Sequence, residues 1–274
     1  MALLTCDFFS DALQVGTSMT VVLPQRTEAQ IGVAGGGADG PPPLLYLLHG
    51  LSDDHTAWQR YTAIGRYAEA AGLAVVMPAV HRSFYTNEAH GHRYWDFVSE
   101  ELPRVVHEFL RVSDDPARTF VAGLSMGGYG ALRFVLKYPE MFAAAGLLSP
   151  AIYDPEVPQG SGARRAGVFG AAEFDPQVWK ELNYPTLWEA FLAKKIAVPM
   201  YINSGDDDDF FIEAEATRLY SLLRKNGQPA ELRIVDGAHK WPVWESTIGD
   251  AMRYVFRYAA RPALVTDAKA RKSR

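Results

Sequence analysis

The stretch 118-RTFVAGLSMGGYGAL-132 decides how this chain folds. Thr119 to Ala122 is a short apolar run, and Met126 to Lys137 carries the longer apolar spacing of a helix. Between them Gly123-Leu124-Ser125-Met126-Gly127 fits the pattern G-x-S-x-G, so a strand runs into a serine and a helix runs out of it. A serine on so sharp a turn needs a backbone that few residues tolerate. Gly123 and Gly127 remove the side chains that would collide as the chain doubles back. The turn projects the Ser125 hydroxyl at the carboxyl edge of a sheet, where free helix amides favour a developing negative charge. Gly128 and Gly130 then let the helix pack closely on that sheet. The pattern predicts a nucleophilic serine; the plainer alternative is a glycine-rich turn.

Outward from this elbow, short apolar runs alternate with longer amphipathic stretches. Thr20 to Leu23, Leu44 to Leu48, Leu73 to Met77, Ala145 to Leu148, Met200 to Asn203 and Leu232 to Val235 read as further strands. Several are apolar at successive positions, as strands buried on both faces must be. Helices are predicted over Ala57 to Ala70, Phe97 to Arg111, Met126 to Lys137, Glu213 to Lys225 and Trp241 to Arg257. That order predicts the α/β class: a mostly parallel sheet of about eight strands, helices on both faces, and an antiparallel edge from the first strands. Gly32 to Pro43 (GVAGGGADGPPP) reads as a surface turn joining a hairpin. The poorly periodic, Pro- and aromatic-rich segment from about 153 to 195 is expected to form a small cap. Residues 1–260 read as one domain, and 261–274 as a flexible tail.

The bulk numbers exclude several function classes. The chain has 274 residues, 48% of them hydrophobic, which suits one large domain with a sizeable core. Its 32 acids and 27 bases leave a formal charge of −5, too mild for a nucleic-acid footprint or a polybasic membrane patch. Small neutral or weakly charged substrates suit it better. No run approaches the roughly 18 apolar residues that a membrane span requires. The start lacks a basic segment followed by a long apolar one, so a signal peptide is not expected. Cys6 is the one cysteine, which rules out an internal disulfide or a Cys-rich zinc site and points to a reducing, cytoplasmic setting.

Three further segments complete a candidate site. Tyr46-Leu-Leu-His49-Gly50-Leu51-Ser52 ends a strand, and the loop there would supply the Leu51 backbone N–H to an oxyanion hole. The N–H of Met126, the residue after the serine, would supply the second donor. His49 reads as a loop-holding histidine, and Asp53, Asp54 and His55 as solvated turn residues rather than metal ligands. After Ser125 the chain contains one histidine, His239, in the loop following Leu232 to Val235. It stands where a general base should. The acid falls within Ser204-Gly205-Asp206-Asp207-Asp208-Asp209. The third residue after the glycine is its usual place, so Asp208 is chosen with Asp207 as the alternative. Consecutive aspartates converge badly on calcium, so no metal is assigned. Trp58, Tyr85, Tyr94, Trp95, Trp179, Trp188 and Trp241 are candidate pocket aromatics, of which two or three are expected at the site.

With these residues placed, the chain resembles the esterase D family of α/β-hydrolases, whose members include tributyrin esterases, feruloyl esterases and S-formylglutathione hydrolases. The marks are LLYLLHGLSDDHTAW, RSFYTN, Phe97-Val-Ser-Glu-Glu-Leu-Pro103, AGLSMGGYGAL, SGDDDDF and GAHKW, spread from Phe8 to about Tyr258. The resemblance implies an α/β-hydrolase fold and cofactor-free hydrolysis of short acyl esters through an acyl-serine. It implies Ser125, Asp208 and His239 as a triad, Leu51 and Met126 at the oxyanion hole, and homo-oligomers. The same elbow would serve an S-formylglutathione-type thioesterase or an acyltransferase. Outside enzymes, a catalytically dead binding module is the alternative, but such proteins lose triad members and this chain has candidates for all three in order.

Overall fold

A computed structural model describes residues 1–29, 31, 35–37, 39–154, 156–164, 173–258 and 264–265. Ten strands are assigned among them: β1 Ala2–Ser10, β2 Val15–Leu23, β3 Leu44–Leu48, β4 Ala74–Pro78, β5 Thr119–Leu124, β6 Ala144–Leu148, β7 Ile196–Ala197, β8 Met200–Gly205, β9 Ala230–Val235 and β10 Leu264–Val265. The helices are α1 Ala57–Tyr61, α2 Ile64–Ala71, α3 Tyr94–Asp96, α4 Leu102–Phe109, α5 Met126–Lys137, α6 Pro176–Leu182, α7 Tyr184–Ala193, α8 Ile212–Lys225 and α9 Trp241–Phe256.

Eight strands form one sheet in the order β1-β2-β4-β3-β5-β6-β8-β9. Only the β1–β2 and β2–β4 pairs are antiparallel; every other pair is parallel. β3, β4, β5, β6 and β8 are buried at every position. Their successive residues feed two separate cores. Tyr46, Val121 and Ile202 face one layer with α5 and α8, whereas Leu45, Phe120 and Tyr201 face the other with α2 and α9. A strand so placed must be apolar throughout, which is the physical reason its run shows no alternation.

Two expectations change. β2 pairs with β4 and not with β3, so the glycine-rich connection crosses over a strand instead of closing a hairpin. The helix expected over Ala57 to Ala70 is broken after Tyr61. There the Thr62 hydroxyl donates to Trp58 O at 2.6 Å, and Ala63 N–H donates to Glu245 Oε2 of α9 at 3.1 Å. β1 adds an edge strand whose Leu4, Cys6 and Phe8 are half-buried on one face. Its turn into β2 is held by the buried Glu101 carboxylate, which accepts from the Ser10 hydroxyl at 2.5 Å and Asp11 N–H at 2.8 Å. Glu101 ends a π-helical turn, Phe97–Glu101, between α3 and α4. The expected tail lies outside the described residues except for Leu264–Val265, which pairs antiparallel with β7. No helix among the described residues is long and apolar enough to cross a membrane.

Candidate active site

Adjacent parallel strands all point their carboxyl ends one way, so the loops after β3, β5, β8 and β9 gather at a single edge of the sheet. Ser125 stands in the turn from β5 to α5 with φ 51° and ψ −115°, a backbone conformation that β-carbon-bearing residues rarely adopt. The structure over-determines it. Ser125 N–H donates to Leu148 O at 2.8 Å, and its carbonyl accepts from Tyr129 N–H and Ala151 N–H, each at 3.0 Å. A β-carbon on Gly127 would press into the carbonyl oxygens of Leu48 and His49, so only glycine lets α5 start this close to β3.

His239, in the loop between β9 and α9, reaches this serine: its Nε2 lies 2.8 Å from Ser125 Oγ. Its Nδ1 lies 2.7 Å from Asp208 Oδ2. A carboxylate can only accept, so Nδ1 carries the proton and Nε2 accepts from the serine hydroxyl. The Asp208 side chain is fully buried, and its other oxygen accepts from Phe210 N–H at 3.0 Å. Asp207 points elsewhere. It is exposed and gathers with Asp206 and Asp236, ligand atoms all within 4.8 Å of one another. Asp236 comes from the end of β9, a convergence that runs of adjacent aspartates do not reveal. The acid and histidine loops touch where Gly205 meets Gly237, and a β-carbon on Gly205 would collide with the Gly237 carbonyl. The imidazole is gripped edge-on by Phe210, with centroids 5.1 Å apart, and by Trp244 at 5.0 Å.

Leu51 borders the same space, and Met126 is the first residue of α5, so its amide has no partner within the helix. The expected loop-holding role of His49 is visible in detail. The ring is buried; its Nδ1 lies 2.7 Å from Gly50 O, and its Nε2 accepts from Val80 N–H at 3.1 Å. Burial pushes its pKa down to about 4, keeping it neutral. Asp54 is exposed and caps Thr56, but Asp53 is half-buried and borders the cavity, its carboxyl pushed up by burial.

A cavity of about 410 Å³ opens over Ser125 and His239. Of the seven candidate aromatics only Trp241 lines it; the other six are core. The aromatics that do line it, besides Trp241, are Phe84, Tyr153, Phe210 and Trp244. Trp244 could have been found from Trp241, since residues three apart share a helix face. Phe84, Tyr153 and Phe210 sit on irregular loops whose path no local pattern encodes. Arg82 and Lys240, which lie in the RSFYTN and GAHKW marks but were given no role from sequence, also border the cavity.

Comparison with known proteins gives the family and the fold. The chain is similar to an acetyl esterase of Caldicellulosiruptor saccharolyticus, 26% identical over 265 residues, covering 93% of this chain and 98% of that protein. It superposes on the substrate-bound fluorophosphonate-binding serine hydrolase FphF of Staphylococcus aureus with a TM-score of 0.73 and 30% identity, covering 93% and 98%. The S-formylglutathione hydrolase FrmB of Staphylococcus aureus gives 0.74 and 28%, with the same coverage. The sheet is that of the α/β-hydrolases. The Esterase family model matches residues 14–255, nearly all of the sheet and its helices, and the chain belongs to that family.

Proposed function

We propose that this protein is a serine carboxylesterase that hydrolyses small, short-chain acyl esters through an acyl-Ser125 intermediate. The observation that carries this reading is the hydrogen-bonded line from Asp208 through His239 to Ser125, ending in a cavity. Ser125 Oγ attacks the ester carbonyl carbon while His239 Nε2 takes its proton. The carbonyl oxygen, now negative, accepts from the backbone N–H groups of Leu51 and Met126. Asp208 holds the imidazole in the tautomer this needs and stabilises the imidazolium. Collapse expels the alcohol, which leaves with the proton from His239. Water then enters, gives a proton to His239, and releases the acid and free Ser125.

The reaction is complete without a cofactor, since every proton has a donor and an acceptor among these residues. A volume near 410 Å³ with five aromatic walls suits a short acyl chain and a small alcohol. We assign residues 1–260 to one domain, with 153–195 as a cap-like insertion; Tyr153 and Ser161, which border the cavity, support that assignment. The single cysteine fits a cytoplasmic setting, and self-association follows from family resemblance.

The central test is Ser125→Ala: kcat/KM for p-nitrophenyl butyrate should fall by roughly 10⁴-fold or more, with circular dichroism unchanged and EDTA without effect on the wild type. Turnover retained by the variant contradicts the mechanism. The likeness to an S-formylglutathione hydrolase favours a second reading, a thioesterase, and hydrolysis of S-formylglutathione far faster than of aryl esters would select it.

A further inference from the structure

We propose that Arg82, assisted by Lys240, binds an anionic group on the substrate, so that the preferred esters carry a carboxylate. The inference rests on the esterase reading of this cavity and narrows its substrate class. Both cations border the cavity with Ser125 and His239, yet they come from different loops, Arg82 after β4 and Lys240 beside the base. Among the described residues neither side chain has an ion-pair or hydrogen-bond partner. Asp53, the acid at the cavity wall outside the triad, is engaged by Gly50, Arg60 and Trp241. Two uncompensated positive charges thus face the reaction space of a protein whose overall charge is −5.

The loop that presents Arg82 is costly. His81, Phe84 and Tyr85 all have left-handed backbones, with φ of 48°, 51° and 51°. Buried bonds hold it there: Val80 N–H to His49 Nε2, Tyr85 Oη–H to His49 O at 3.0 Å, and Arg133 to Tyr85 O at 3.2 Å. This anchoring hangs from His49, beside the oxyanion loop, so the backbone that carries the exposed Arg82 side chain is fixed at the rim of the Ser125 cavity. Both side chains are exposed at the cavity mouth, and a guanidinium there offers two parallel N–H donors to a carboxylate.

The test compares two matched pairs: 4-acetoxybenzoate with its methyl ester, where the charge is on the alcohol side, and monomethyl adipate with dimethyl adipate, where it is on the acyl side. For each pair the ratio of kcat/KM, anionic over neutral, is measured in wild type, Arg82→Gln, Arg82→Lys and Lys240→Gln. Intrinsic differences in reactivity cancel when variant and wild type are compared. Active enzyme is counted by phosphonylation, so partial misfolding does not distort the ratio. For at least one pair the ratio should fall about tenfold or more in Arg82→Gln, the size of a lost charge-assisted hydrogen bond. The loss should appear mainly in KM, be partly restored in Arg82→Lys, and be smaller in Lys240→Gln. In wild type the ratio should also fall as sodium chloride is raised, because salt screens such a pairing. Ratios that are unchanged by Arg82→Gln and insensitive to salt, alongside brisk hydrolysis of the neutral esters, would overturn the anion site and leave the esterase reading intact. Failure of the wild type to hydrolyse any of the four esters would overturn both.

Discussion

Ser125, Asp208 and His49 show how single residues carry this site. Four aspartates in a row are indistinguishable by composition; the fold separates them by burial. Asp208 is covered and bonded to His239, while Asp207 faces water. Asp208→Asn should therefore lower kcat by roughly 10³- to 10⁴-fold, whereas Asp207→Asn should leave it within about twofold, as read from initial rates. Similar losses in both would place the acid elsewhere. His49 carries a pH signature. Its folded pKa of about 4 lies below the ordinary 6.5, so between these values the unfolded chain binds the extra proton. Its contribution to stability is complete above pH 6.5, falls as pH drops toward 4, and amounts to about 3 kcal/mol over that window. Urea unfolding of wild type and His49→Gln should show a steeper acid-side loss in the wild type; parallel curves would contradict the neutral, buried ring.

Elements were readable where local signals and packing agree. The helix predicted from Met126 to Lys137 is found with those bounds, because its start is dictated by the elbow and nearly every position is buried. The helix expected over Ala57 to Ala70 is interrupted by a bond from Ala63 to Glu245, a partner far along the chain that no window of local sequence contains. β1 carries a weaker signal than the central strands, because Leu4, Cys6 and Phe8 alternate with exposed neighbours and are only half-buried at the sheet edge. The cavity walls were least legible. Phe84 and Phe210 belong to loops set by distant buried hydrogen bonds, and six of the seven aromatics singled out from sequence were claimed by the core. The elbow also makes a prediction of its own. Gly127→Ala would push a methyl into the carbonyls of Leu48 and His49, and should cost about 2 kcal/mol or more of stability while misplacing the Met126 amide. Thermal unfolding together with kcat/KM for p-nitrophenyl butyrate checks both effects; a variant as stable and active as wild type would refute the close approach.

At the scale of the molecule, function follows from strand order. The parallel run β4-β3-β5-β6-β8-β9 brings loops far apart in sequence to one edge, so Leu51, Ser125, Asp208 and His239 meet without any one segment holding them together. Alternating strands and helices made the parallel sheet readable, but not that β2 would cross to β4. The most direct measurement of the central claim is covalent. The protein is treated with a p-nitrophenyl alkylphosphonate, released p-nitrophenolate is titrated, and the labelled peptide is sequenced by mass spectrometry. A single equivalent released per chain, with the phosphonyl group on Ser125 and none in Ser125→Ala, is the predicted result. Label on another residue such as Ser52 or Ser149, or none at all, would contradict it.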